Sequence, residues 1–279
     1  MRVMIWCMML GLLCAHPAQG GTVDTVEPGI RFELRQSYET KDMRGDFESG
    51  SSHGHSTMIE QVIALRDGGI ELVYDEVDAS NRRQWQFPIR VFKPANGAFV
   101  LLNAAELEAR VDPWLAKANW TREICAQWIF TWNAFKIDCD PQSALELVNG
   151  YSLWQDNLRA EAPFQTEGLK GAPPLKLERS DANGSVYVVT GSLDPDQLKL
   201  KKAETAVIVA RISGEVITQE KALESLVNVE ISGTMTVRFV VTSAGLVMKR
   251  IDQTEVRTTE DGEVEVSIAT TTLERKRLQ

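Results

Sequence analysis

Apolar and polar residues alternate along much of the chain, which is the pattern of β-strands with one buried face. The alternation is clearest at 30–35 near the start, and at 235–241 and 263–268 towards the end. Asp-Gly and Asn-Gly pairs separate several of these runs, and such pairs are typical of hairpin turns. The sequence therefore predicts an α+β protein that is dominated by an antiparallel sheet.

Two β-rich halves emerge from this pattern, at 21–102 and at 161–279, and we expect them to complete one domain. The stretch 41–56 in the first half is polar and glycine-rich, so it carries no clear strand signal. In the second half, 206–209 has the composition of a strand. The pattern at 218–226 fits either one short helix or parts of two strands.

The segment 103–160 between the two halves changes to helical spacing. Asn103 stands where a capping residue would begin a first helix, and Thr121 can cap a second helix through 135. Asp140-Pro141 suits a third helix start. A final short helix is predicted at 151–159.

Five of the seven tryptophans lie in this segment. A tryptophan can bury about 150–250 Å² of surface, so we expect these side chains to be shielded from water. They either form core against the sheet, line a pocket for an apolar ligand, or present a surface to a partner protein. The predicted fold is a curved antiparallel sheet or half-barrel with this insertion packed against it. The candidate ligand-binding residues are Trp114, Trp128, Trp132 and Phe135.

The first twenty residues have the layout of a secretory signal peptide. Arg2 precedes an apolar run that is shorter than the roughly 18 residues of a spanning helix, and small residues follow. The alternative is an uncleaved membrane anchor. With 1–20 removed, Cys125 and Cys139 are the remaining cysteines, and we predict that they form a disulfide. The protein is expected to be periplasmic or secreted, and not membrane-spanning after cleavage.

The chain is acidic, with a formal net charge of −9. Phosphate binding needs clustered lysine and arginine, and the basic runs at 199–202 and 275–277 have acidic neighbours. Nucleic acid is therefore not expected as a partner.

The sequence shows no complete catalytic set, and we predict no cofactor and no enzymatic activity. Gly50–Gly54 matches the Gly-x-Ser-x-Gly pattern of hydrolases, but the last histidine is His55, so no histidine follows at a useful distance. His53 and His55 are weak metal-ligand candidates that would need carboxylates such as Asp46 or Glu48. The simpler interpretation is that both are incidental histidines of a loop.

The order of elements resembles that of bacterial envelope carriers that hold acyl chains in a half-open barrel with a helical lid. No motif supports a family assignment, so no residues are transferred. The predicted function is that of an exported binding protein, with an apolar or lipid-like ligand between the sheet and the tryptophan-rich helices. The alternative is a structural or interaction protein of the cell envelope, which would bind another envelope protein and no small molecule.

Overall fold

A computed structural model describes residues 26–66, 68–130 and 134–278. The predicted signal peptide at 1–20 and the candidate Trp132 lie outside these residues. The chain is β-dominated, as predicted, with one large antiparallel sheet and few helices. The sheet strands, in chain order, are β1 (Arg31–Arg44), β2 (Phe47–Arg66), β3 (Gly69–Asp75), β4 (Ile89–Pro94), β5 (Val100–Leu101), β8 (Lys176–Asp181), β9 (Gly184–Ser192), β10 (Glu230–Thr242), β11 (Val247–Glu260) and β12 (Glu263–Arg277).

These ten strands have the order β5-β4-β3-β2-β1-β12-β11-β10-β9-β8. The first strand of the sheet, β1, pairs with the last, β12, so the two β-rich halves join at the centre. Phe32 and Leu34 point into the core, whereas Arg35 is exposed, as the alternation predicts. The predicted half-barrel is not confirmed, because β5 and β8 lie at opposite edges of an open sheet.

The strands β1 and β2 extend further than the sequence pattern predicted. They continue through 41–56 to a tight turn at Gly45, whose φ of 58° favours glycine. Most side chains along this extension are exposed or only partly buried, and Thr40 and Ser52 hydrogen-bond across the strands at 2.6 Å. Because neither face is apolar there, the backbone pairing leaves no alternating pattern in the sequence.

The insertion is only partly helical. Helices α1 (Ala104–Lys117) and α2 (Ala144–Gly150) match two of the predicted helices, but the predicted helix from 121 to 135 is wrong. That stretch forms a short 3-10 turn and the hairpin of β6 (Trp128–Phe130) and β7 (Ala134–Lys136). The predicted helix at 151–159 is also absent, and this part of the described chain has no regular structure.

The predicted disulfide joins Cys125 and Cys139, whose Cα atoms are 5.6 Å apart. Backbone hydrogen bonds extend the β6–β7 pairing to the residues beside it, from Ala126 N to Ile137 O and from Ile137 N to Gln127 O. The disulfide thus closes the base of the hairpin.

The second half contains two helices, one where a strand was predicted and one where the sequence left helix and strand open. The stretch 206–209, expected as strand, belongs to helix α3 (Pro195–Ile212), which Asp194 caps by accepting from the Asp196 N–H. Helix α4 (Gln219–Ser225) settles the ambiguity at 218–226, with Thr218 as its cap. Together, α3 and α4 cover Ile231 of β10 in a second, smaller hydrophobic cluster.

The main hydrophobic core lies between the other part of the sheet and the insertion. It includes Leu107, Val111 and Leu115 of α1 and Val148 of α2, all at most 1% exposed. Among the described residues, no helix combines the length and the hydropathy needed to cross a bilayer.

Candidate functional site

The connection between β3 and β4, residues 76–88, is held in a fixed shape by two carboxylates. Asp75 receives two hydrogen bonds from the Arg82 guanidinium, at 2.7 and 2.6 Å. The Glu76 carboxylate accepts the backbone N–H groups of Arg83, at 3.0 Å, and Gln84, at 2.9 Å. Charge-assisted bonds of this kind are stronger than neutral ones, so they order a segment without regular secondary structure.

The same connection is tied to α1 through the carbonyl oxygen of Pro88. The Asn103 side-chain amide donates to it at 3.0 Å, and the Arg110 guanidinium donates at 3.1 Å. The amide oxygen of Asn103 accepts from the Arg90 N–H rather than from the helix, so Asn103 makes no side-chain cap. Its role is to fix the start of α1 against β4.

A third tie joins the connection to the disulfide region. The indole of Trp85 is 4% exposed and donates to the Asp138 carbonyl at 3.2 Å. Asp138 precedes Cys139, so the disulfide helps to hold the backbone that receives this bond.

Between α1 and residues 82–88 lies a cavity of about 320 Å³ that is partly open to solvent. Trp85 and Phe87, both buried, and the half-buried Trp114 provide its aromatic surface. The Trp114 ring is also packed edge-to-face against Trp120, with 6.2 Å between ring centroids. Ligand sites in proteins commonly have a volume of about 300–1,000 Å³ and an apolar lining with a few polar groups.

Four positively charged side chains also line the cavity. Arg82, Arg83, Arg110 and Lys117 line the cavity, and its lining within the described chain includes no carboxylate. This local charge is opposite in sign to the net charge of the chain, −9.

Trp114, Trp128 and Phe135, the three predicted ligand-binding residues that the structure describes, do not line one cavity together. Trp114 lines the cavity, whereas Trp128 is half-buried on β6 and Phe135 is 44% exposed on β7. A ligand was predicted between the sheet and the insertion. Buried side chains such as Val111 and Leu115 fill that interface, and the cavity lies beside it. Ligand binding by these residues stays a prediction.

The cavity residues that accompany Trp114 were not predicted from the sequence; they include Trp85, Phe87, Arg83 and Lys117. A signal was present in the run Arg82-Arg-Gln-Trp-Gln-Phe-Pro88, where cations precede two aromatic residues. The run has neither helical nor strand periodicity, so a search for regular elements passes over it.

His53 and His55 lie on β2, not in a loop, and both are exposed. They point to the same face because they are two residues apart. Glu39 of β1 is opposite His53 in the pairing register, and Lys41 next along that face binds the Glu39 carboxylate at 2.9 Å. Within the described ranges, no three potential ligands meet to hold a metal ion.

A second group of charges lies in the main core, where β2 and β12 meet the insertion. Glu60 and Arg275 are an ion pair with 2.8 Å between Oε1 and Nη2, and both side chains are fully buried. The other Glu60 oxygen accepts from the Tyr74 hydroxyl at 2.6 Å and from the Trp154 indole at 2.7 Å. We call these four residues the buried charge cluster.

Arg275 makes further contacts in this cluster. Its guanidinium is 4.5 Å from the Trp154 ring centroid and 5.1 Å from that of Phe32, and it donates to the Val247 carbonyl at 3.1 Å. Burial, with the negative charge of Glu60, raises the pKa of Tyr74 well above its usual value of 10.0. Glu60, Tyr74 and Arg275 are at most 3% exposed and Trp154 is half-buried, which indicates a structural role for the cluster.

Comparison with known proteins gives no family. No family model matches the chain, and no curated protein matches it. A solved structure of lipovitellin, concerned with lipid–protein interactions, aligns with 90% of this chain and 25% of its own, at 12% identity and a TM-score of 0.36. The chain thus spans about a quarter of that protein.

A second solved structure is that of Ail, the attachment invasion locus protein of Yersinia pestis, in complex with a heparin analogue. It aligns over 90% of this chain and 100% of its own, at 5% identity and a TM-score of 0.21. Similarity at these levels assigns neither a fold family nor a function, so the functional argument depends on the chain's own residues.

Proposed function

We propose that the chain is an exported, non-enzymatic binding protein that holds an apolar small molecule in the cavity between α1 and residues 82–88. The observation that carries this proposal is the aromatic surface made by Trp85, Phe87 and Trp114 around about 320 Å³ of space. Export agrees with the leader-like sequence at 1–20 and with the Cys125–Cys139 disulfide.

The cavity is supported as a binding site by its rigid walls. Residues 82–88 are fixed by Asp75 and Glu76 on one side and by the Pro88 carbonyl on the other. A pocket whose walls are already ordered loses little conformational entropy when a ligand enters, and this favours binding.

Isothermal titration calorimetry with a chain-length series of alkyl carboxylates, from butanoate to octanoate, tests the proposal. If the alkyl chain lies on the aromatic surface, each added methylene contributes about 0.8 kcal/mol, or roughly fourfold in affinity. Replacing Trp114 by Ala is expected to weaken this dependence. An affinity that does not change with chain length would contradict an apolar binding site.

A matched control is Phe135→Ala in the β6–β7 hairpin. Phe135 is a partly exposed aromatic residue of the same insertion that does not line the cavity. We expect this variant to bind the series like the native protein.

An interaction role in the envelope is the second candidate. Val209, Ile212, Val216 and Val227 are more than half exposed on and after α3, and exposed apolar groups of this kind are typical of contact surfaces. Cross-linking in intact cells tests this role. A specific cross-linked product that is lost on Val209→Glu and Val216→Glu substitution supports it, and an unchanged product contradicts it.

A further inference from the structure

The charge around the cavity defines what kind of ligand it would select. Four cationic side chains line it, and within the described part of the chain no carboxylate shares the lining. Such a local concentration of positive charge attracts anions, although the chain as a whole is acidic. The question is which of these cations the protein already neutralises.

Two of the four have partners. Arg82 is neutralised by the two hydrogen bonds to Asp75. Arg110 donates to the Pro88 carbonyl at 3.1 Å and contacts the exposed Glu106 carboxylate at 3.4 Å, a distance at the long end for a hydrogen bond. The positive charge of Arg110 is therefore only weakly compensated.

The other two cations are Arg83 and Lys117. Neither the Arg83 guanidinium nor the Lys117 ammonium makes a hydrogen bond or a salt bridge with any residue in the described ranges. The nearby carboxylates are engaged elsewhere. Glu76 accepts backbone N–H groups, and the pKa of Asp78 is lowered mainly by its hydrogen bond from Ser80 and least by the charge of Arg83.

We infer that the cavity binds the acidic end of an amphipathic molecule. A carboxylate or phosphate group is held among Arg83, Arg110 and Lys117, and the apolar body lies on Trp85, Phe87 and Trp114. This inference rests on the proposed function and adds the chemical class of the ligand. Anionic oxygens suit these donors, because charge-assisted hydrogen bonds are about twice as strong as neutral ones.

The test compares octanoate with octanol, which has the same chain length and no charge, by calorimetry at low ionic strength. We expect octanoate to bind at least about tenfold more tightly, as is typical of a hydrogen bond to a charged group. Raising the salt concentration is expected to weaken the binding of octanoate and to leave the binding of octanol unchanged, because salt screens exposed charges.

A double substitution, Arg83→Gln with Lys117→Gln, identifies the cations. It is expected to remove most of the preference for octanoate over octanol, since only Arg110 remains to bind the anion, and to leave octanol binding as it was. Lys221→Gln is the control, since Lys221 is an exposed lysine of α4 at the other hydrophobic cluster. The control is expected to bind both probes like the native protein.

Each other outcome has a distinct meaning. Equal affinity for octanoate and octanol, with the chain-length dependence intact, overturns the inference and leaves the proposed function standing. Binding of inorganic phosphate as tight as that of octyl phosphate overturns it too, because the site would then recognise an anion without an apolar body. Absence of chain-length dependence in both the carboxylates and the alcohols removes the proposed function itself.

Discussion

The buried charge cluster and the cavity beside α1 both combine cations with tryptophan, but they treat charge in opposite ways. In the cluster, Arg275 and Glu60 are fully buried and face each other at 2.8 Å. At the cavity, Arg83 and Lys117 are exposed, and neither forms a salt bridge with a carboxylate of the described chain. A buried charge must be paired, because removing it from water costs free energy. A charge at an open cavity stays solvated and is available to bind a ligand. The comparison separates what stabilises the fold from what is available for binding.

The largest effect is expected from breaking the buried ion pair. Glu60→Gln keeps the shape of the side chain but leaves Arg275 charged and unpaired in the core, which costs about 3–5 kcal/mol. Denaturant unfolding measures this loss. The double variant Glu60→Leu with Arg275→Met is expected to recover a large part of the stability, because no lone charge stays buried.

A surface pair that also involves β12 provides the control. Lys249 and Glu274 are 2.6 Å apart but 37% and 48% exposed, so Lys249→Ala is expected to cost no more than about 1 kcal/mol. If the two single substitutions cost the same, burial does not distinguish the two kinds of charge in this protein.

The next largest loss of stability is expected from removing the disulfide. Replacing Cys125 and Cys139 by Ser opens a loop of about 15 residues, for which chain entropy predicts a loss of roughly 3 kcal/mol. Octanoate affinity is also expected to fall, because Trp85 is anchored on the carbonyl of Asp138. Calorimetry and unfolding of native protein with and without reductant provide the check. Unchanged affinity after reduction would show that the cavity does not depend on the hairpin.

A smaller loss of stability is expected at alkaline pH, where Tyr74 ionises. The pKa of Tyr74 is raised above its unfolded value of 10.0, so the fold favours the protonated hydroxyl. Its contribution is complete below about pH 10 and is lost as the pH rises further. Tyr74→Phe removes a hydrogen bond to a charged group, which costs about 1.5–3 kcal/mol near neutral pH.

The measurement is the difference in unfolding free energy between native and Tyr74→Phe protein as a function of pH. We expect this difference to be constant near neutrality and to shrink above about pH 10. Tyr38→Phe, at an exposed tyrosine of β1, serves as the control. A difference that is independent of pH would contradict the raised pKa of Tyr74.

The strands with one buried face could be predicted from sequence because core packing imposes a two-residue period. This holds for β1 near Phe32 and for β10 near Phe239. The extension of β1 and β2 through 41–56 could not be predicted in this way, since neither face is buried and backbone pairing alone leaves no pattern. Helix α3 was missed although Asp194-Pro195 is a typical helix start.

The hairpin at 128–136 shows why apolar spacing misleads in a short segment. Ile124, Trp128 and Phe135 have helical spacing, but the run Trp128-Ile-Phe is rich in residues that favour strands. Local propensity and the closing disulfide outweighed the helical period. The cavity was only partly predictable, because its walls depend on hydrogen bonds from Arg110 to the Pro88 carbonyl and from Trp85 to the Asp138 carbonyl, which the sequence does not reveal.

The most direct test of the central claim follows the indole N–H groups by NMR while a spin-labelled fatty acid is added. We expect the signals of Trp85 and Trp114, which line the cavity, to broaden first. Trp154, whose indole N–H is bound to Glu60 in the core, is expected to stay sharp. Broadening of Trp154 or Trp128 ahead of Trp114, or broadening of none at saturating probe, would contradict binding at this cavity.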